Sequence, residues 1–142
     1  MSLQSWKEEF YPMRAWDTLK EAAAEHSLKK WTGLRSENLA RHGLIADGSA
    51  ICEEERQHIA LSINDSTCAL CKHYLRLGSC EAPCASCPIM QLTGYSCDDD
   101  AYHRENYGTE SPYGQFLDNK NPEPMIALLE RVVDYEKAKA TS

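Results

Sequence analysis

No apolar run approaches the roughly 18 residues that a membrane span needs, so nothing in the sequence reads as transmembrane. The first residues, Met1 to Glu9, lack a basic start and an apolar stretch, and no secretory signal is expected. The expected compartment is therefore the cytoplasm, where thiols stay reduced. Positive charge is scarce. Fifteen Lys and Arg stand against 22 Asp and Glu, for a net charge of −7. Phosphate backbones are held by Lys and Arg, so direct nucleic-acid binding is not expected. The only basic grouping is Lys29, Lys30, Arg35 and Arg41, which reads as a solvated helix face. A basic protein partner, itself a nucleic-acid binder or not, suits the acidic balance better. Phosphate loops, nucleophile elbows, dinucleotide fingerprints and internal repeats are also absent.

What the sequence does contain is a helix-rich chain of one-domain length, 142 residues. Ser5 and Glu8 form a capping-box pattern for a short helical piece over residues 5–11, and Pro12 closes that piece or opens the next helix at its first position. Apolar spacing predicts a long helix from Met13 to Trp31, with Trp16, Leu19, Ala23, Ser27, Lys30 and Trp31 along one stripe. Trp6, Trp16 and Trp31 read as core anchors, and Gly33 as a left-handed helix stop. A shorter helix from Ser36 to His42, stopped by Gly43, completes a helical N-terminal half over residues 5–43. Asp47-Gly48 marks a hairpin turn between two short apolar runs. His58 to Ile63 alternates as a strand does. A helix is expected over residues 67–77. Residues 93–114, with Gly94, Gly108, Pro112 and Gly114, read as a long ordered loop. The last helix is expected over residues 123–138, burying Met125, Leu128, Leu129, Val132 and Val133. The expected fold is a small single domain over residues 1–142, of α+β class and helix-dominated, with a short β element and a zinc-stapled loop.

Seven cysteines in a reducing compartment point to metal or redox chemistry rather than disulfides. Cys68-Ala69-Leu70-Cys71 and Cys84-Ala85-Ser86-Cys87 are two C-x2-C pairs separated by 12 residues. Each pair presents two sulfurs from one tight turn, and four thiolates close the tetrahedral shell of a structural zinc ion. The expected ligands are Cys68, Cys71, Cys84 and Cys87, within a metal-binding segment over residues 66–97. Cys97, Cys80 and His103 are alternative ligands. An iron–sulfur cluster is the lesser cofactor reading, from the C-x3-C-x2-C spacing of Cys80, Cys84 and Cys87. Buried structural thiols, disulfides and a catalytic thiol pair also remain open. The last would make Cys68 and Cys71 a redox motif, which requires a βαβ setting.

The remaining candidates carry less. Cys52 and His58 are six apart on strand-like sequence, a spacing that chance supplies often. Glu53-Glu54-Glu55 and Asp98-Asp99-Asp100 are carboxylate runs without the spacing of a calcium loop. They read as solvated charge, with Asp98, Asp99 and Asp100 facing a partner.

Lys30-Trp31-Thr32-Gly33-Leu34, His42-Gly43-Leu44, Cys68-Ala69-Leu70-Cys71, Cys84-Ala85-Ser86-Cys87-Pro88, Cys97, Ser111-Pro112-Tyr113 and Pro124-Met125-Ile126 follow one another in this order. The order resembles a family of small, cysteine-rich bacteriophage and prophage proteins, over most of the chain, with Cys80 additional to the pattern. The resemblance implies a setting in the cytoplasm of an infected bacterium and a host protein, such as a defence factor, as partner. The expected function is a non-enzymatic, zinc-binding interaction module that modulates or inhibits that host protein. A small metal-dependent or thiol-redox enzyme is the alternative.

Overall fold

The computed structural model describes residues 3–47, 49–53, 59–64, 67–74 and 87–141. Among them the chain is helix-dominated, with one small antiparallel sheet, in agreement with the expected α+β class. Helix α1 spans Leu3–Phe10, α2 Ala23–Thr32 and α3 Ser36–Arg41. Strands β1 (Leu44–Asp47), β2 (Ala50–Glu53) and β3 (Ile59–Ser62) form a meander. Helices α4 (Ala69–Tyr74), α5 (Pro88–Thr93), α6 (Asp100–Tyr107), α7 (Pro112–Asn119) and α8 (Glu123–Thr141) follow.

The long α8 carries the apolar stripe read from sequence. Met125, Leu128, Leu129, Val132 and Val133 are buried, and Ile126 joins them. This face packs on α2, α5 and α7. Trp31 of α2 meets Phe116 of α7 edge to face, with ring centroids 5.0 Å apart. The hairpin expected at Asp47-Gly48 is present, with Leu44 opposite Glu53 and Asp47 opposite Ala50. Alternation in β1 buries Leu44 and Ala46, as a half-buried strand requires.

The N-terminal half departs from the expected pattern. The helix begins at Leu3, so Ser5 lies inside it and cannot cap it. Its hydroxyl instead stands 2.7 Å from His42 Nδ1, while His42 Nε2 donates to Glu9 at 2.8 Å. Residues 13–22 are not one helix with α2. They form two 3-10 turns, Ala15–Asp17 and Lys20–Ala22. Backbone carbonyls of this strap accept from distant side chains. His26 Nε2 donates to Met13, His73 Nε2 to Thr18, each at 2.6 Å, and Lys72 Nζ to Trp16. With its backbone held this way, the strap turns Trp16 and Leu19 outward, 56% and 67% exposed, so Trp16 is no core anchor.

Gly33 ends α2, but its φ of −65° is ordinary right-handed backbone, not the left-handed stop expected. Close approach explains the glycine. A Cβ there would stand 2.5 Å from Cγ of Phe10, and Trp6 Nε1 donates to the Gly33 carbonyl at 2.8 Å. Glycine at this point lets α1 lie directly on the end of α2.

Residues 93–114 are not a loop. Asp99 caps α6 by accepting from the Tyr102 amide, and Ser111 caps α7 by accepting from the Gly114 amide. Pro112 opens α7 at its first turn, and Gly94 and Gly108 close α5 and α6 in left-handed conformation. A carboxylate clasp joins the two capped helices. Asp100 Oδ1 accepts from the Ser111 amide at 3.0 Å and from its hydroxyl at 2.6 Å. The hydroxyl bond, then the amide bond, holds the Asp100 carboxyl below its ordinary value.

A carboxyl with a depressed folded pKa contributes stability that is complete above its unfolded value, near 3.8, and disappears as pH falls through the folded one. Acid should therefore open the α6–α7 junction below pH 3.8, and Asp100→Asn should remove that part of the pH dependence. A Cβ on Gly114 would stand 2.4 Å from Asp100 Oδ1. Gly114→Ala is expected to break the clasp and cost about 1–3 kcal/mol, read as a lower urea midpoint. An unchanged midpoint would show that the clasp contributes nothing.

Candidate metal centre

Cys68 directly precedes α4 and occupies its cap position. Its carbonyl accepts the first helical bond, from the Lys72 amide at 3.0 Å, and its sulfur accepts from the Cys71 amide at 3.4 Å. The turn before it is pinned by Thr67, whose hydroxyl donates to the Ser62 carbonyl at 2.8 Å. This geometry puts the two sulfurs of the first C-x2-C pair on one side of a tight turn, as the spacing predicts. Ser27 Oγ of α2 lies 3.9 Å from the Cys68 sulfur.

Lys30 stands beneath this turn. It is 1% exposed, and its ammonium donates to the Thr67 carbonyl at 2.9 Å. The expected solvated face is thus divided. Arg35 pairs with Glu123 and Arg41 with Glu9 at the surface, whereas Lys30 is a core cation. Burial lowers the Lys30 pKa, and the neighbouring sulfurs of Cys68, Cys71 and Cys97 oppose that shift. The Cys71 thiol hydrogen bond, then the Lys30 ammonium and the Cys71 amide, overcome burial and bring the Cys68 thiol down to about 5. Donating that bond, together with burial and the charges of Cys68, Cys97 and Cys87, drives Cys71 strongly upward. The two shifts run in opposite directions and favour one thiolate beside one thiol.

Besides Cys68, the charges of Cys87 and Cys97 act on the Cys71 thiol. Cys87 caps α5, its carbonyl accepting from the Gln91 amide at 3.0 Å. Cys97 is fixed through its carbonyl, which accepts from the Tyr113 amide at 3.0 Å. Tyr113 in turn donates its hydroxyl to the Ile63 carbonyl. Cys84 and Cys80 lie outside the described residues, as do His58, Glu54 and Glu55. Among the described residues, no three Cys, His, Asp or Glu side chains stand close enough together to hold a metal ion. His103 is buried in another setting, where its Nδ1 donates to the Asp99 carbonyl at 3.0 Å and its ring packs on Tyr95. Cys52 is a buried thiol of β2.

Of the carboxylate run, Asp99 and Asp100 use their side chains inside the chain, as cap and clasp. Asp98 is exposed and accepts from the Ser96 hydroxyl at 3.0 Å.

No family model, curated protein or solved structure matches this chain.

The donor chemistry fits a thiophilic cation. Thiols come from one C-x2-C turn, a helix cap and a pinned loop, and the neighbours of Cys68 favour its thiolate. Lys30, which sequence composition hides, is the part that reading the cysteines alone misses. The signal was its position on the buried stripe with Ser27 and Trp31.

Proposed function

We propose that this chain is a non-enzymatic interaction module whose middle is stapled by one structural zinc ion. Cys68, Cys71 and Cys87 are ligands, and Cys97, whose charge acts on Cys71, is the fourth. The observation that carries this reading is the buried Lys30 ammonium beside the sulfurs. A buried cation is costly unless countered, and four thiolates on one divalent ion carry excess negative charge. Zinc and Lys30 answer each other: the ion gathers the thiolates, and the ammonium offsets the charge left over. When bound, zinc supplies cross-linking rather than catalysis, joining the start of α4 to the cap of α5 and the loop before α6. Closing the shell requires the Cys87 and Cys97 sulfurs to move onto the Cys68–Cys71 pair. On the resemblance to small phage proteins, the partner is a basic host protein in the cytoplasm of an infected bacterium. The acidic stretch after Cys97 supports a basic partner.

Elemental analysis of untreated purified protein tests the centre. One zinc per chain is expected, lost in Cys68→Ser and Cys97→Ser and kept in Cys52→Ser. Strong chelation should expose residues 66–97 to protease before α2 and α8 melt, since ligation supplies on the order of 10 kcal/mol in small zinc modules. Zinc absent from native protein, with an unchanged protease pattern under chelation, would remove the proposal.

One observation favours a second reading. A Cys68 thiol pushed down by its neighbours beside a Cys71 thiol pushed up suits an attacking thiolate and a resolving thiol. In that case the two thiols pass two electrons to a disulfide substrate and become a disulfide themselves. Metal-free native protein that reduces a model disulfide, and loses this in Cys68→Ser, would establish it.

A further inference from the structure

Helix α6 reads Asp100-Ala101-Tyr102-His103-Arg104-Glu105-Asn106-Tyr107, with no aliphatic side chain larger than alanine. It is held by rings instead. Tyr95, Tyr102, His103 and Tyr107 contact one another with centroid separations from 4.2 to 6.4 Å, mostly in edge-to-face or tilted pairs. These four rings form a cluster outside the main core. His103 is its buried floor, and Tyr107 is 59% exposed at its outer edge.

Two observations point to what this surface takes. First, the segment that carries the rings is rich in acidic residues. Residues 95–110 carry Asp98, Asp99, Asp100, Glu105 and Glu110 against the single cation Arg104, and Arg104 is occupied by Glu110 through two bonds of 2.8 Å. Among the described residues, no ion pair engages Asp98 or Glu105. Second, the chain places its own cations over other rings. Lys20 covers Tyr74, Lys30 covers Trp31, Arg41 covers Phe10 and Lys139 covers Tyr135. Among the described residues, no cation stands over Tyr95, Tyr102 or Tyr107. The charge of Arg131 on α8 reaches the Tyr95 phenol without covering its ring. The faces of aromatic rings are negative and attract cations, most strongly where carboxylates surround them.

We propose that the Tyr102–Tyr107 surface, floored by Tyr95 and His103, is a receptor for an arginine side chain in a basic segment of a partner protein. Arginine fits better than lysine. Its guanidinium is planar and weakly hydrated, so one face stacks on a tyrosine while its edge donates to Asp98 or Glu105. The net charge of −7 disfavours nucleic acid and anionic lipid as occupants. The proposal names the partner chemistry of the interaction module and rests on that reading, but not on the metal. Zinc content decides the staple, and arginine binding decides the platform, so either can fail alone.

The test is a titration of the purified full chain with a ten-residue peptide of alternating glycine and arginine, followed by the aromatic NMR signals at 0.15 M salt. Saturable shifts of the Tyr102 and Tyr107 ring resonances are expected. The exposed Tyr107 can be changed without unfolding the chain, which the unchanged remainder of the spectrum will verify. Tyr107→Leu should weaken binding about tenfold, Tyr107→Phe should keep it, and Glu105→Gln should weaken it less. The same peptide with citrulline in place of arginine should not bind. Binding that survives Tyr107→Leu, or equal binding of the citrulline peptide, overturns the proposal.

Discussion

Replacing Trp6 by alanine is expected to cost about 3–5 kcal/mol, a large part of the 5–15 kcal/mol that holds a typical domain folded. Trp6 is fully buried in α1, and its ring meets Phe10 at 6.0 Å. Its indole N–H donates to the carbonyl of Gly33, at the end of α2, where carbonyls no longer have helical partners. Alanine therefore opens a cavity and orphans a buried acceptor together. Trp6→Phe separates the two effects. It keeps most of the apolar volume and removes the donor, and it should cost about 1–3 kcal/mol. Urea unfolding monitored by circular dichroism supplies both numbers. Equal losses in the two variants would mean that the hydrogen bond carries nearly everything and the packing little. A loss below about 1 kcal/mol in Trp6→Ala would mean that α1 is not part of the cooperative core.

That contact also marks the boundary of what the sequence makes legible. The stripe of α8, the hairpin around Asp47-Gly48 and the strand near Ile59 follow from local periodicity and turn chemistry, and the structure has them. Gly33 looked like a helix stop because glycine often is one. Its actual reason is Phe10, 23 residues away in sequence, and no local signal carries that. Trp16 fitted the helical stripe of α2. Three side chains from α2 and α4, His26, Lys72 and His73, hold the preceding backbone in another path, and the ring turns outward. Residues 93–114 depart from expectation for another reason. Asp99 before Tyr102, Ser111-Pro112 before Gly114, and Gly108 between them are helix punctuation. Without an apolar stripe in α6 to suggest a helix between the caps, they read as loop residues.

The candidate centre divides the same way. The C-x2-C spacing of Cys68 and Cys71 is a local motif, and its turn is where the spacing puts it. The charge of Cys97 acts on Cys71 because the chain returns through α5, and Lys30 arrives from α2. A lysine on an apolar stripe is usually assigned to the surface with its stem buried. Here the sulfurs give the whole side chain a reason to be inside.

Those sulfurs yield the second large effect. In metal-free, reduced protein at pH 6, Cys68 is expected to react with iodoacetamide about ten to twenty times faster than an ordinary accessible thiol, while Cys71 stays silent. A thiol at about 5 rather than 9.0 is nearly all thiolate at that pH, against about one part in a thousand for the reference. Lower basicity takes back most of this gain, because nucleophilicity falls with pKa along a slope of about 0.4–0.5. The Cys71 hydrogen bond is the larger cause of the depressed value and the Lys30 ammonium a lesser one. Cys71→Ala should therefore move the pH–rate midpoint of Cys68 upward further than Lys30→Met does. Lys30→Met preserves volume in a buried position, where exchanging an ion for an apolar group is often tolerated, so the fold should persist. The same depression links to stability. Stability should rise with pH between about 5 and 9.0 as the unfolded chain gives up the Cys68 proton, and above 9.0 the raised Cys71 thiol takes that gain back. A midpoint near 9 in the parent protein, or one that neither substitution moves, would mean that Cys68 is not ionised by its neighbours. The charge argument joining Lys30 to the cysteines would then fail.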